Sequence, residues 1–305
     1  MRAAMDELER FKTEINLTEF AVSLGYQLDR RKSSRSSIVM RNAEGDKVII
    51  TRKDGGHWTY FSVRESRDHG SIIDFLQFRE GINLGGVRNR LRPWISGMAV
   101  RPDVSLYAGD VHKTEKDRGA VQEAWSAATE TTHNRYLTFR GISRQTLQDS
   151  RFLGCVRQDR RGNTLFAHYD QAGLAGYEIK NFEFTGFARH GEKAVWRSAA
   201  NRLDCRLVMV EAALDGLSYH QLMPDQGTRY ISIAGQISPH QLDVVRAEIS
   251  SMAVGSTIVL GFDHDHEGDL FALRFRNLVQ GYHYLRHAPD SGKDWNDVLT
   301  KKSAS

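Results

Sequence analysis

Cysteine is scarce in this chain. Cys155 and Cys205 are its only two in 305 residues, with no partner pattern between them. That excludes a disulfide-rich secreted scaffold and fits a reducing compartment. Long apolar runs are missing too: no stretch approaches the ~18 consecutive apolar residues that a membrane span needs. The opening residues, Met-Arg-Ala-Ala-Met-Asp-Glu-Leu-Glu-Arg, lack the apolar segment of a secretory signal. A cytoplasmic protein without a membrane role is expected. Internal repeats and low-complexity tracts are also absent. What is there is ordinary globular composition, 40% hydrophobic and 26% charged. The length suits two domains, or two and a small third, and a core that needs no staple.

Charge is unevenly spread. Residues 30–101 hold 15 basic and 7 acidic side chains, whereas residues 102–305 hold 24 and 25. A basic module ahead of a near-neutral one suits a nucleic-acid grip joined to a separate active site.

Apolar spacing predicts a helix over 6–25, ending at Gly25. Alternating runs at 37–40, 47–51 and 57–62, broken by Glu44-Gly45-Asp46 and Asp54-Gly55-Gly56, predict a small β-meander. Helices follow at 71–79 and 84–91, ending near Pro93. Residues 96–118 read as a linker. Helices at 119–131 and 143–149 precede β-like runs at 165–169, 174–179 and 194–196. The pattern then changes. Continuous apolar runs at 207–210, 230–234 and 257–262 alternate with helical stretches at about 214–223, 238–252 and 268–280, before a last strand at about 282–287. That alternation predicts a parallel sheet covered by helices, with chemistry at the carboxyl ends of its strands.

Acidic residues sit at those ends. Glu211 follows the first run, with Asp215 four residues on. Asp263 and Asp265 follow the third, within Asp-His-Asp-His-Glu-Gly-Asp, which also holds Asp269. Asp294 and Asp297, preceded by Lys293, lie beyond the last strand. Carboxylates two apart in extended chain can point the same way and resist joint ionisation unless a cation neutralises them. Hard oxygen ligands of this kind select magnesium or manganese, which suits phosphoryl chemistry.

Val-Glu-Ala-Ala-Leu-Asp-Gly-Leu-Ser at 210–218, followed by Asp263-His264-Asp265 and Gly268, resembles the toprim domain of bacterial primases, topoisomerases and related nucleases. The resemblance covers roughly residues 204–300. It implies Glu211 as general acid/base, Asp263 and Asp265 as magnesium ligands, and Asp215 and Asp269 as less constant acidic positions. Ala212 departs from the glycine that often follows the glutamate. Ser218, Gly235 and Lys-Asp-Trp-Asn-Asp at 293–297 resemble plasmid and phage primase-type toprim proteins, with Lys293, Asp294 and Asp297 as accessory candidates. Tyr136–Ile142, the segment to Asn163 and Phe166, and Gly176-Tyr177-Glu178 resemble the domain preceding toprim in plasmid-borne primase-like proteins. Residues 15–95 resemble the zinc ribbon that opens bacterial primases. Its ligands are missing, because residues 30–95 hold no cysteine and only His57 and His69, so no zinc is expected.

Arg30, Arg31, Lys32, Arg35, Arg41, Arg52 and Lys53 lie on a meander that also carries Trp58, Tyr60 and Phe61. Cations with aromatic faces make a platform for single-stranded nucleic acid. Alternation puts Trp58 and Tyr60 on one face and Phe61 on the other, with Phe61 and Phe75 expected to be packing. The expected architecture is an α+β module of zinc-ribbon type without zinc over 1–100 and a linker and helix over 101–135. A β-rich domain over 136–203 and an α/β toprim domain with a parallel sheet over 204–305 complete it. The expected activity is primase-like nucleotidyl transfer on single-stranded DNA, with nucleotides as substrates and a helicase or relaxase of a plasmid or other mobile element as possible partner. The alternatives are a toprim nuclease and a non-catalytic DNA-binding protein.

Overall fold

The computed structural model describes residues 2–30, 32–34, 37–65, 67–99, 102, 115–235 and 237–304. Two compact units divide the chain, 1–115 and 116–305. No helix among the described residues is long and apolar enough to cross a membrane.

The first unit opens with helices α1 (Arg2–Glu14) and α2 (Leu17–Ser23). The single helix expected over 6–25 is broken at Asn16, whose side chain accepts the Thr18 N–H at 2.9 Å and so starts a second helix. A five-stranded antiparallel meander follows in chain order: β1 (Gln27–Leu28), β2 (Ile38–Arg41), β3 (Lys47–Arg52), β4 (Trp58–Ser62) and β5 (His69–Gly70). Helices α3 (Ile72–Glu80) and α4 (Leu84–Ile95) complete the unit, α4 running two residues past Pro93. The sheet gives Met40, Val48, Ile50, Trp58 and Tyr60 to a core shared with Phe11, Phe20, Phe75 and Leu91 of the helices. Trp58 and Tyr60 are therefore the packing face, with Phe75 against them, while Phe61 on the other face is only half-buried. The packing expected of Phe61 falls to its strand neighbours.

Arg79 of α3 holds this core's polar side. Its guanidinium donates to both Asp68 oxygens at 2.9 Å, to Asp46 at 2.8 Å and to the Tyr26 hydroxyl at 2.6 Å. It also stacks 3.9 Å from the Phe75 ring centroid. Burial works against its charge, but these acceptors outweigh burial and raise its pKa above the usual arginine value.

The second unit begins with α5 (Arg118–Ser126), β6 (Thr129–Glu130), α6 (Arg135–Phe139) and α7 (Arg144–Gln148). Strands β7 (Val156–Gln158), β8 (Thr164–Asp170), β9 (Gly173–Lys180), β10 (Thr185–Phe187) and β11 (Val195–Arg197) follow. The alternating segment expected from the sequence is β12 (Arg206–Val210), α8 (Ala213–Leu222), β13 (Thr228–Ser232), α9 (Pro239–Ser250), β14 (Thr257–Leu260), α10 (His266–Arg276) and β15 (His283–Arg286), closed by α11 (Trp295–Ala304). Strands β13, β12, β14 and β15 lie side by side and parallel. Antiparallel β11 joins β13 to β8, so one mixed ten-stranded sheet runs through the unit.

Alternation on β12 explains the layers. Val208 and Val210 face α8 and α11, through Leu214, Leu217, Trp295 and Leu299. Leu207 and Met209 face α9 and α10, through Val244, Ile249, Phe271 and Phe275. Trp196 of β11 is wholly buried beside α8, where a Cβ on Gly216 would lie 2.8 Å from its ring.

Candidate functional site

From β12 the chain crosses to β13 on one side, and from β13 it returns past β12 to β14 on the other. The carboxyl ends of β12 and β14 therefore flank the crevice where the winding reverses, the usual ligand position in such sheets. Glu211 leaves one end of it and Asp263 the other.

Glu211 is half-buried, and its Oε1 is enclosed without a hydrogen-bond partner. Burial first, then the charges of Asp263 and Asp265, push its pKa up to about 7. Asp263 is buried, and burial followed by Asp294 raises it to about 6. Asp265 behaves in the opposite way. Burial pushes it up, but the Gly268 N–H, 2.9 Å away, and Lys293 together hold it below the usual carboxylate range. The Asp265–Gly268 bond is also the N-cap of α10. Gly268 is required by close approach: a Cβ there would lie 2.1 Å from the Asp263 carbonyl oxygen.

Lys293 stands between the aspartates, its Nζ 3.1 Å from Asp265 Oδ2 and 3.6 Å from Asp263 Oδ2. The His264 N–H donates to the Lys293 carbonyl at 2.8 Å, tying the two loops together. Asp297 accepts the Lys293 N–H, and Asp294 accepts the Asp297 N–H, so both shape the turn into α11.

Asp215 lies deeper, enclosed in α8, with Oδ1 accepting the Asn296 N–H at 3.2 Å. Burial, then Asp294 and Asp263, raise its pKa well above the usual range. Asp269 is 70% exposed and pairs with Arg286 at 3.1 Å. Sequence reasoning missed Arg286. Its guanidinium donates to the carbonyls of Leu260, Phe262 and Asp263 at 3.1, 2.7 and 2.8 Å, clamping the loop that carries the aspartates. Nothing in the local sequence marks it, because the contact crosses from the neighbouring strand.

An orphaned carboxylate oxygen, two acids held above their usual pKa and an ammonium drawn between the aspartates all call for positive charge, so this donor set fits a divalent cation. The ligand atoms of Glu211, Asp263 and Asp265 stand wider apart than those of Asp170, Glu192 and His240, the one group among the described residues that closes to within 4.8 Å. That group already holds a cation. Arg118 grips both Asp170 oxygens, one at 3.0 Å.

In the first unit Arg30, Lys32, Arg41 and Lys53 are exposed, Arg41 pairing with Asp29 at 3.3 Å. Arg52 lies over the Trp58 ring, 5.4 Å from its centroid. Arg31 and Arg35 fall outside the described residues.

Residues 208–299 match the family described as Toprim-like. Residues 135–202 match a second family, described as a protein of unknown function, DUF3991. No curated protein matches the chain. Several solved structures are loosely similar, two of them as follows. The primase fragment of the bacteriophage T7 primase-helicase protein is 17% identical, over 65% of this chain and 82% of that one, with a TM-score of 0.42. The RNA polymerase domain of Mycobacterium tuberculosis primase DnaG is 18% identical, over 51% and 58%, with a TM-score of 0.33. Glu211, Asp215, Asp263, Asp265, Asp269 and the Lys293–Asp297 turn all fall within the Toprim-like segment.

Proposed function

We propose that the protein is a metal-dependent, DNA-acting enzyme that joins nucleotides on a single-stranded template, in the manner of a primase. The observation that carries this reading is the pairing of Glu211 with Asp263 and Asp265 across the switch-point crevice of a Toprim-like segment. Asp263 and Asp265 would hold magnesium or manganese beside Glu211, with Asp215 and Asp269 as further, outlying acids of the metal set. When bound, such a cation supplies neutralisation of phosphate charge. Glu211, with its pKa near 7, is poised to take the proton of an attacking hydroxyl at neutral pH. Lys293 offers its ammonium to a phosphate oxygen once the aspartates no longer hold it.

The first unit, read as a zinc-ribbon-like module without zinc, would grip single-stranded DNA through Arg30, Arg31, Lys32, Arg35, Arg41, Arg52 and Lys53. Residues 101–135 would link it to a β-rich domain over 136–203 and a catalytic domain over 204–305. A cytoplasmic setting on a plasmid or other mobile element, beside a helicase or relaxase, accords with this reading.

The test is incubation of the full chain with single-stranded DNA, ribonucleotides and magnesium or manganese, followed by sizing of products. New short oligonucleotides support the proposal, whereas shortened template points to a toprim nuclease. Asp263→Asn and Asp265→Asn should each abolish activity while DNA binding persists. Glu211→Gln should retain metal but lose roughly 100- to 10,000-fold in rate. Full activity in the combined aspartate variant would sink the mechanism.

A further inference from the structure

Four phenylalanines among the described residues are exposed, and three of them, Phe139, Phe182 and Phe184, belong to the second unit's α6 and β9–β10 turn. Phe139 is 70% and Phe182 56% exposed, although their rings touch, with centroids 5.3 Å apart at 61°. Tyr136, buried beneath, meets the Phe182 ring edge-on at 5.8 Å and fixes it from below. The turn carrying Phe182 is itself held. Asn181 Oδ1 accepts the N–H groups of Glu183 and Phe184, and Asn181 Nδ2 donates to Asn163 Oδ1 at 2.6 Å. Rings presented to water on a fixed frame cost solvation, so their exposure calls for an occupant.

The surrounding charge identifies its sign. Residues 131–148 contain Arg135, Arg140 and Arg144 and no acid, while on the Phe182 side Lys180 pairs with Glu178 at 3.6 Å and Glu183 is an exposed acid. A chain of hydrogen bonds links the helix of the patch to one of the acids. Arg140, next to Phe139, donates to Asn296 Oδ1 at 2.5 Å, and the Asn296 N–H reaches Asp215. Lys180 acts on the same carboxyl, its charge partly offsetting the burial that raises the Asp215 pKa.

We infer that Phe139 and Phe182 form a stacking platform for the bases of single-stranded DNA, flanked by arginines that take its phosphates. The inference rests on the DNA-acting reading above and adds a second binding surface to the one on the first unit. Every base has a π face, so such a platform grips without choosing sequence. A protein-docking face would want apolar breadth, whereas this one is two rings with arginines on the α6 side.

The experiment measures binding of fluorescein-labelled oligothymidylate to the full chain by anisotropy over a salt series. The variants are Phe139→Ala, Phe182→Ala, the double variant and Phe182→Trp. Each alanine variant should weaken binding roughly 5- to 150-fold, and the slope of log affinity against log salt should stay constant, because no phosphate contact is lost. Phe182→Trp should keep parental affinity, and 5-iodouracil in the oligonucleotide should cross-link to Phe139 or Phe182. Parental affinity in the double variant overturns the platform. So does a change confined to self-association in sedimentation, or one confined to an RNA oligonucleotide of the same length. A parent chain that binds no single-stranded DNA would remove the underlying reading, a result distinct from a parent that binds and variants that match it.

Discussion

The Lys293 ammonium lies closer to Asp265 than to Asp263, 3.1 Å against 3.6 Å, and so spans the pair while remaining 61% exposed. A cation approaching the two carboxylates must displace it. An exposed ion pair of this kind contributes about 1 kcal/mol or less. Lys293→Gln should therefore tighten manganese binding by up to about fivefold, as read by calorimetric titration, while slowing any step in which the ammonium meets phosphate. Weaker metal binding in the variant would show that Lys293 supports the site rather than competing for it.

The acids give a pH dependence with a definite sign. Glu211 near 7 and Asp263 near 6 both titrate above their unfolded values, so the folded chain holds protons that the unfolded chain has released. The stability these two groups contribute is present in full below about pH 4, where the unfolded carboxyls titrate, and is lost as pH rises from there through about 6 to 7. Metal held by Asp263 needs that carboxylate deprotonated, and its charge favours the ionised form of Glu211 beside it. The increase in melting temperature on adding magnesium or manganese should thus be small near pH 5 and grow between about pH 6 and 7, roughly complete by pH 8. A metal-induced shift independent of pH would contradict the assignment.

Arg286 supplies the next test. It clamps three carbonyls of the loop holding Asp263 and Asp265, so Arg286→Ala should lower metal affinity roughly 10- to 100-fold, the usual effect of removing a group that orients metal ligands. Arg286→Lys should recover little, since one ammonium cannot reproduce the planar fork. Equilibrium titration with manganese reads the effect. An unchanged midpoint would reduce Arg286 to a structural residue.

Arg79 tests the first unit. Its removal leaves Asp68 buried without its charged partner, a loss of about 3–5 kcal/mol by analogy with other broken buried pairs. Arg79→Ala should move the denaturant midpoint of the first unit, and the Trp58 and Trp94 fluorescence that reports it, far below that of the parent. A shift under about 1 kcal/mol would mean the network is incidental.

Much of the second unit could be read in advance because β12, β13 and β14 are buried on both faces and their apolar runs are continuous. Glu211, Asp263 and Asp265 then followed from where such strands end. The rest depended on contacts that no local pattern encodes. Asn16 splits one amphipathic stretch into two helices by capping the second. Phe61 and Trp58 share an alternating strand, and only the helices on one side decide which face is covered. Arg286 reaches the acid loop across a strand pairing, and the helix of α11 begins in a segment too polar to announce itself. Phe182 stays exposed in a short turn, where a single aromatic carries no periodic signal.

The pairing of β11 with β13 has a practical consequence for anyone shortening the chain. Trp196 and Arg197 cover the outer edge of β13, and Trp196 fills the space beside Gly216 of α8. A fragment beginning at Asp204 would bare that edge to water and empty the space the indole occupies. Bare strand edges recruit other chains, so such a fragment is expected to precipitate rather than to report the activity of its acids. The two segments that match separate families thus have to be produced as one piece, from Lys116 onward.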